Sequence, residues 1–379
     1  MIHPTIAKSS IGVVGSGAMG AGIAQVAATA GHRVFIYDTN KSALDKAKDN
    51  LDQTLKKLVD KQKVTEEKAD TIVKNICFVT DLKEFAPCGM VIEAIVEKLE
   101  VKQQVFTQLE TIVPDDCILA SNTSSLSIAS IGAACTRKER VIGIHFFNPA
   151  PLMPLVEIIP AVTTGGFFTE QAKTTLDSWG KVTVLTKDTP GFIVNRVARS
   201  YYGESIRIYE EGIADFATID WAMKSVGNFK MGPFELMDFI GHDVNYKVSE
   251  SVWEQFFYEP RFKPSLTQKR LYEAQLFGRK SGRGFYDYSE GGRQARSGPL
   301  VAADDLLQPL ELALVVAEDQ GDGGTRHPLE RAHVAVHRGR RGHAQIERVA
   351  RLRPQGEPRE PVEPRPPIAR RQEQRLPPG

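Results

Sequence analysis

Residues 11–38 read IGVVGSGAMGAGIAQVAATAGHRVFIYD, and this stretch decides the fold. It opens with an apolar, β-type run that leads straight into Gly15, Gly17 and Gly20, spaced as GxGxxG, and then into a helical run of small residues. The first glycine permits a tight turn. The second lets backbone approach a pyrophosphate, and the third lets helix and strand pack closely. With Ser16, Ala18 and Met19 between them, the glycines form a candidate phosphate-binding loop. GxGxxG alone is a weak signal, but here strand, helix and acid accompany it. A second β-type run, RVFIYD, ends in Asp38, eighteen residues after Gly20. A carboxylate there can accept a hydrogen bond from a ribose 2′-hydroxyl. It would repel a 2′-phosphate, and Thr39 and Asn40 supply no arginine, so the pattern reads as NAD rather than NADP.

Working outward, short β-rich runs alternate with helical stretches as far as residue 187. The strand candidates are SIGVVG, RVFIYD, MVIEAI, CILASN, VIGIHFF, VEIIP and KVTVLT. Such alternation predicts an α/β fold, a Rossmann-type doubly wound parallel sheet, over residues 1–187. Between residues 40 and 75 the pattern turns helical, with Leu44, Leu51, Leu55 and Leu58 in register and lysines elsewhere, which predicts an inserted helical hairpin. After DTPG the β-type runs stop. Phe192, Ile193, Val197, Tyr201 and Ile208 recur at helical spacing, predicting an all-helical domain over 188–288. Residues 289–379 contain no Lys, Phe, Trp or Tyr and are dominated by Arg, Pro, Gly and His. With little apolar area to bury they are expected to be disordered, as a genuine extension or as the out-of-frame reading of a GC-rich gene, which the composition resembles.

Composition narrows the function classes. The formal net charge of +1 gives no global pull toward nucleic acid or a membrane surface. No apolar run reaches the roughly 18 residues of a membrane span, and no signal peptide opens the chain, so a cytoplasmic protein is expected. Cys77, Cys88, Cys117 and Cys135 have no zinc spacing and read as free thiols. The tail histidines His327, His333, His337 and His343 lack a consistent ligand pattern, so no metal site is expected.

The run HFFNPAPLMPLVEII, residues 145–159, carries the chemistry. It is apolar apart from His145, Asn148 and Glu157. Ligands bind beyond the carboxyl ends of strands in open α/β sheets, and His145 ends such a strand. Oxidation of an alcohol by NAD needs a base for the hydroxyl proton, and an imidazole with a reference pKa of about 6.5 suits that task. A carboxylate beside it would fix the tautomer and stabilise the imidazolium. Glu157 is tolerable in its apolar strand if His145 is its partner. Asn122, Thr123, Ser124 and Ser125 end another strand with short hydrogen-bonding side chains.

GSGAMGAGIAQVAA, SNTSSLSI, HFFNPAPLMPLVEII and DTPGFIVNRV occur here in the order and spacing of the L-3-hydroxyacyl-CoA dehydrogenases, which the chain resembles over roughly residues 9–288. The resemblance implies oxidation of (S)-3-hydroxyacyl-CoA to 3-oxoacyl-CoA, with an acyl-CoA substrate, NAD as cofactor and a homodimer formed through the helical domain. The family's base matches His145, its carboxylate partner Glu157, its substrate-binding serine Ser124 and its active-site asparagine Asn195. Its cofactor contacts match Asp38, Glu97, Lys102, Ser124, Asn148 and Lys280, and its coenzyme A contacts match Thr54 and Lys61. The spacing of Glu97 and Lys102 is not that of a standard helical ion pair. GNFKMGPFELMDFIGHDVNY resembles a long bacterial branch that acts on 3-hydroxybutyryl- and 3-hydroxyadipyl-CoA in fatty-acid or phenylacetate-type degradation. That branch usually carries a second helical copy, yet no second MGP motif follows here. Two other functions stay open: a dehydrogenase of a free hydroxy acid such as L-gulonate, and an NAD-binding protein without turnover.

Overall fold

The computed structural model describes residues 9–289, 292, 294 and 295. Most of the tail expected from residue 289 onward, its four histidines included, lies outside the described residues. The core element is an eight-stranded sheet. Its strands are β1 (Ser10–Val14), β2 (Val34–Tyr37), β3 (Ile76–Val79), β4 (Cys88–Glu93), β5 (Ile118–Ser121), β6 (Val141–Phe146), β7 (Leu155–Pro160) and β8 (Val182–Leu185). Their spatial order is β3-β2-β1-β4-β5-β6-β7-β8. The order reverses between β1 and β4, the position where such sheets open a crevice for a ligand.

The expectation of a parallel sheet needs one correction. β6 and β7 pair antiparallel, so β7 and β8 run against the other six strands. The link between β6 and β7 is a short proline-rich loop with no room for a crossover helix, which a parallel pair would need. A further strand, β3, was missed, because ICFV directly continues a helical pattern with no turn residue between.

Helix α1 (Ala18–Thr29) follows the glycine loop. The inserted hairpin is present as α2 (Lys41–Asp60) and α3 (Glu66–Asn75). Asn40 and Thr65 cap these helices, accepting hydrogen bonds from first-turn amides that would otherwise be unpaired. Leu44, Leu51 and Leu55 are buried against the sheet domain, as the spacing predicts. Two further helices, α4 (Leu99–Glu110) and α5 (Ile128–Gly132), cross between later strands, and α6 (Gly166–Ser178) precedes β8.

Beyond residue 190 come α7 (Val194–Glu210), α8 (Phe216–Ser225), α9 (Pro233–Ile240), α10 (His242–Gln255) and α11 (Leu266–Glu273). Their core is built from Tyr202, Ile206, Phe216, Phe234, Met237 and Phe285. The all-helical expectation is amended by a two-residue strand, Tyr286–Asp287, paired with Gln294–Ala295. Buried Asp238 accepts hydrogen bonds from the Phe285 and Tyr286 amides and holds that segment extended. The apolar stripe of α7 is also corrected. Tyr202 and Ile206 face the core, whereas Ile193, Val197 and Ile208 are exposed.

Candidate active site

Two clefts flank the glycine loop. Gly15 has φ +100°, in the region that favours glycine, and a Cβ there would stand 2.6 Å from the Ala94 carbonyl oxygen. A Cβ on Gly20 would lie 1.8 Å from the Gly15 oxygen, so only glycine lets α1 start against the strand end. Around Gly17 the space is open, which leaves its backbone approachable. The first cleft, about 390 Å³, is lined by Gly15, Gly17, Asp38 and the apolar side chains of Ile95, Val96, Val101 and Val105. The second, about 520 Å³, lies between Ser16–Gly22, the inserted helix α2 with Asn50 and Thr54, and the loop of Asn148, Pro149 and Pro151.

Asp38 sits at the end of β2. Its Oδ2 accepts hydrogen bonds from the Ser16 amide and hydroxyl, both at 2.9 Å, and its Oδ1 accepts the Asn40 amide at 3.0 Å. Partial burial opposes its ionisation, but the donors from Asn40 and Ser16 prevail and hold its carboxyl below the usual range. Ser16 therefore orients the acid. The apolar cleft, the open backbone at Gly17 and a charged acceptor at Asp38 together fit a dinucleotide.

His145 and Glu157 are register partners across the antiparallel β6–β7 pair. The His145 Nδ1 lies 2.7 Å from Glu157 Oε2, with both residues buried. The antiparallel pairing that sequence reading missed is what puts the two side chains on one face. Glu157 also has a second set of partners. Its Oε1 accepts the Ile193 and Val194 amides, both at 2.9 Å, at the start of α7. A helix N-terminus favours a nearby anion. Phe192, with φ +48°, packs at 5.8 Å from the imidazole, and Phe147 at 4.6 Å. Asn195 is the next residue of α7, one position past the Val194 amide.

The serine-rich loop rests on a charged network. Lys102 is 1% exposed, with Nζ 2.7 Å from Glu93 Oε1 and 3.2 Å from Glu97 Oε2. The Glu97–Lys102 pair forms despite its spacing because Glu97 precedes α4 and is free of the helical repeat. Glu93 also accepts the Ile95 amide and the Ser121 hydroxyl, both at 2.7 Å. Glu97 accepts the Thr123 hydroxyl and the amides of Ser124 and Ser125. Burial opposes its ionisation, but the Lys102 charge and these donors outweigh it and lower its pKa. Asn122 accepts the Phe146 amide at 2.8 Å and ties this loop to β6.

Two residues that sequence reading overlooked belong here. Glu93 was legible, since it interrupts the apolar run MVIEAI as Glu157 interrupts its own strand. Asp188, read only as part of a boundary, accepts the Ser127 hydroxyl and the Ile128 and Ala129 amides, capping α5 from outside. No local sequence signal marks that role. Of the expected ligand contacts, Thr54 and Asn148 line the second cleft together. Lys61 closes α2 seven residues past Thr54, about 10 Å farther along at the helical rise, and lines neither cleft. Lys280 lines neither cleft and pairs with Asp243 at 2.5 Å.

Known proteins resemble this chain in sequence and in fold. A family model described as 3-hydroxyacyl-CoA dehydrogenase, NAD binding domain, matches residues 10–189. The model of the C-terminal domain of the same dehydrogenases matches residues 191–288. The 3-hydroxyadipyl-CoA dehydrogenase of Escherichia coli (strain K12) is 44% identical over 83% of this chain and 65% of its own length. The chain thus spans just under two thirds of that relative. A probable 3-hydroxybutyryl-CoA dehydrogenase of Deinococcus radiodurans is 42% identical over 73% of this chain and 99% of its own length. The crystal structure of 3-hydroxybutyryl-CoA dehydrogenase from Escherichia coli K12 superposes with a TM-score of 0.74 at 45% identity, over 79% of this chain and 63% of that one. With both family models matched in sequence and a relative covered almost end to end, this chain belongs to the 3-hydroxyacyl-CoA dehydrogenase family.

Proposed function

We propose that the protein oxidises (S)-3-hydroxyacyl-CoA to 3-oxoacyl-CoA with NAD, with His145 as general base and Glu157 as its partner. The observation that carries this reading is the 2.7 Å contact of His145 Nδ1 with Glu157 at the carboxyl end of β6. It keeps the proton on Nδ1, so Nε2 presents a lone pair toward the substrate hydroxyl. The imidazolium formed when that proton arrives is stabilised by the Glu157 carboxylate. Ser124 and Asn195 would orient the substrate oxygens. Bound NAD supplies the hydride acceptor. The Gly15–Gly20 loop and Asp38 would hold it, with Glu97, Ser124, Asn148 and Lys280 as further contacts and Lys102 acting through Glu97. Thr54 would meet coenzyme A in the second cleft, and Lys61 would meet it about 10 Å farther along α2. The acyl group belongs to fatty-acid or aromatic-acid degradation, in line with the hydroxyadipyl and hydroxybutyryl names of the relatives.

The exposed stripe of Ile193, Val197 and Ile208 supports a homodimer through the helices. Light scattering at micromolar concentration checks this, and a monomeric mass overturns it. For the reaction, acetoacetyl-, 3-oxohexanoyl- and 3-oxoadipyl-CoA are offered with NADH and its absorbance is followed. Turnover is expected, and the preferred substrate gives the chain length. Turnover of L-gulonate with NAD, and of no acyl-CoA with NADH, would move the substrate class to free hydroxy acids. Cofactor binding with no turnover of either would leave an NAD-binding protein without this activity.

A further inference from the structure

We propose that Lys181 is a positioning residue that sets the wall of the substrate cleft by holding the loop between β6 and β7. This loop, NPAPLMP over residues 148–154, presents Asn148, Pro149 and Pro151 to the 520 Å³ cleft beside the glycine loop. It is poorly equipped to hold itself. Its three prolines have no N–H to donate. Leu152 is 75% exposed, so little apolar burial anchors it. Its internal hydrogen bonds are those of the Leu152 and Met153 amides to the Pro149 carbonyl, both at 3.0 Å.

The carbonyls of Ala150 and Met153 are satisfied from outside the loop. Lys181 Nζ donates to both, at 2.7 Å and 2.8 Å. One ammonium thereby bridges two points of the loop three residues apart, and the Val182 amide donates to Pro154 beside them. Lys181 lies between α6 and β8, directly before Val182, the first residue of the edge strand. Ala150, buried, is held against α1, where even a Cβ on Gly22 would come within 3.3 Å of both Ala150 and Pro151. Burial lowers the Lys181 pKa, yet no carboxylate pairs with it among the described residues, so carbonyl oxygens are its ligands. The catalytic pair does not depend on this amine, because His145 and Glu157 are fixed by strand register and by α7. Loss of Lys181 should therefore weaken ligand capture more than the chemical step.

The consequence for turnover rests on the acyl-CoA reading above, and the experiment separates the two. Lys181→Met keeps the aliphatic stem and removes the donors. The expected result is a rise of about tenfold in KM for acetoacetyl-CoA and NADH, equivalent to roughly 1.4 kcal/mol of lost pre-organisation, with kcat within about threefold. Lys181→Arg, which can reach two carbonyls, should recover most of the KM. Hydrogen exchange of the peptide spanning residues 147–155 is measured in parallel and should quicken in Lys181→Met and not in Lys181→Arg. If the wild type turns over no acyl-CoA, the substrate reading fails, and loop exchange with NADH titration still judges Lys181. If Lys181→Met does not fold, Lys181→Gln, with one amide donor group, should give an intermediate KM. Unchanged KM and exchange in a folded variant, or an Arg variant no better than Met, would overturn the proposal.

Discussion

Replacing Glu157 by Gln removes one charge at constant shape, and its effect can be worked from three hydrogen bonds. Oε2 faces the His145 Nδ1, and Oε1 faces two amides of α7, at 2.7, 2.9 and 2.9 Å. A glutamine has one acceptor oxygen and one donor NH₂. If the NH₂ faced the amides, two buried donors would be orphaned at about 1–3 kcal/mol each. The lower-cost choice turns the NH₂ toward Nδ1, which must then be an acceptor. The imidazole proton moves to Nε2, and the lone pair needed for the substrate is gone. We expect kcat to fall by about 10²-fold, toward the lower end of what a positioned base contributes. The two α7 amides now bond a neutral acceptor, losing about 1 kcal/mol each. A loss of about 2 kcal/mol should lower Tm by roughly 3 °C for a folded unit of this size. Calorimetry and the pH–rate profile of NADH oxidation check both. An unaltered pH–rate profile would refute the pairing, and an unchanged Tm beside a reduced kcat would refute the link to α7.

His145→Gln should leave NADH affinity nearly intact, by fluorescence titration, and lower kcat by about 10²–10⁴; unchanged kcat removes it from the mechanism. Asp38→Ala should narrow the preference for NAD over NADP in kcat/KM, because the repulsion of a 2′-phosphate is gone, whereas equal use of both by the wild type would contradict the assignment. Glu93→Ala leaves buried Lys102 with Glu97 alone and should cost about 3–5 kcal/mol in denaturant unfolding; a change under 1 kcal/mol would mean that the network is not structural. The Glu97 carboxyl is held below its ordinary 4.5, so its contribution is full above that value and is lost as pH falls through the lowered one. Acid titration of the folded protein should show this loss below about pH 4.5, and Glu97→Gln should flatten it; an identical acid limb in the variant would rule Glu97 out as its source.

What the sequence determined by itself was whatever depends on local pattern. GxGxxG after an apolar run, with an acid at the end of the next strand, specified loop, helix and cofactor class, because glycine backbone freedom and period-two hydrophobicity act over a few residues. The leucine spacing of α2 likewise specified an amphipathic insertion. His145 and Glu157 were legible as a pair, since a carboxylate in an apolar strand needs a partner. Other features are fixed by pairings across the chain. The antiparallel turn at β6–β7 decides that His145 and Glu157 share a face, and neither strand's own pattern encodes direction. The sheet packing decides that Lys102 is shut between Glu93 and Glu97. Docking of α7 brings the Ile193 and Val194 amides onto Glu157, and Lys181 meets the loop at Ala150 and Met153 only once β8 lies beside β7. In the last two cases a charged atom is satisfied by backbone groups far away in sequence, and backbone donors and acceptors are the same for almost every residue type. Sequence therefore cannot mark which ones will be used, and the tertiary structure alone selects them.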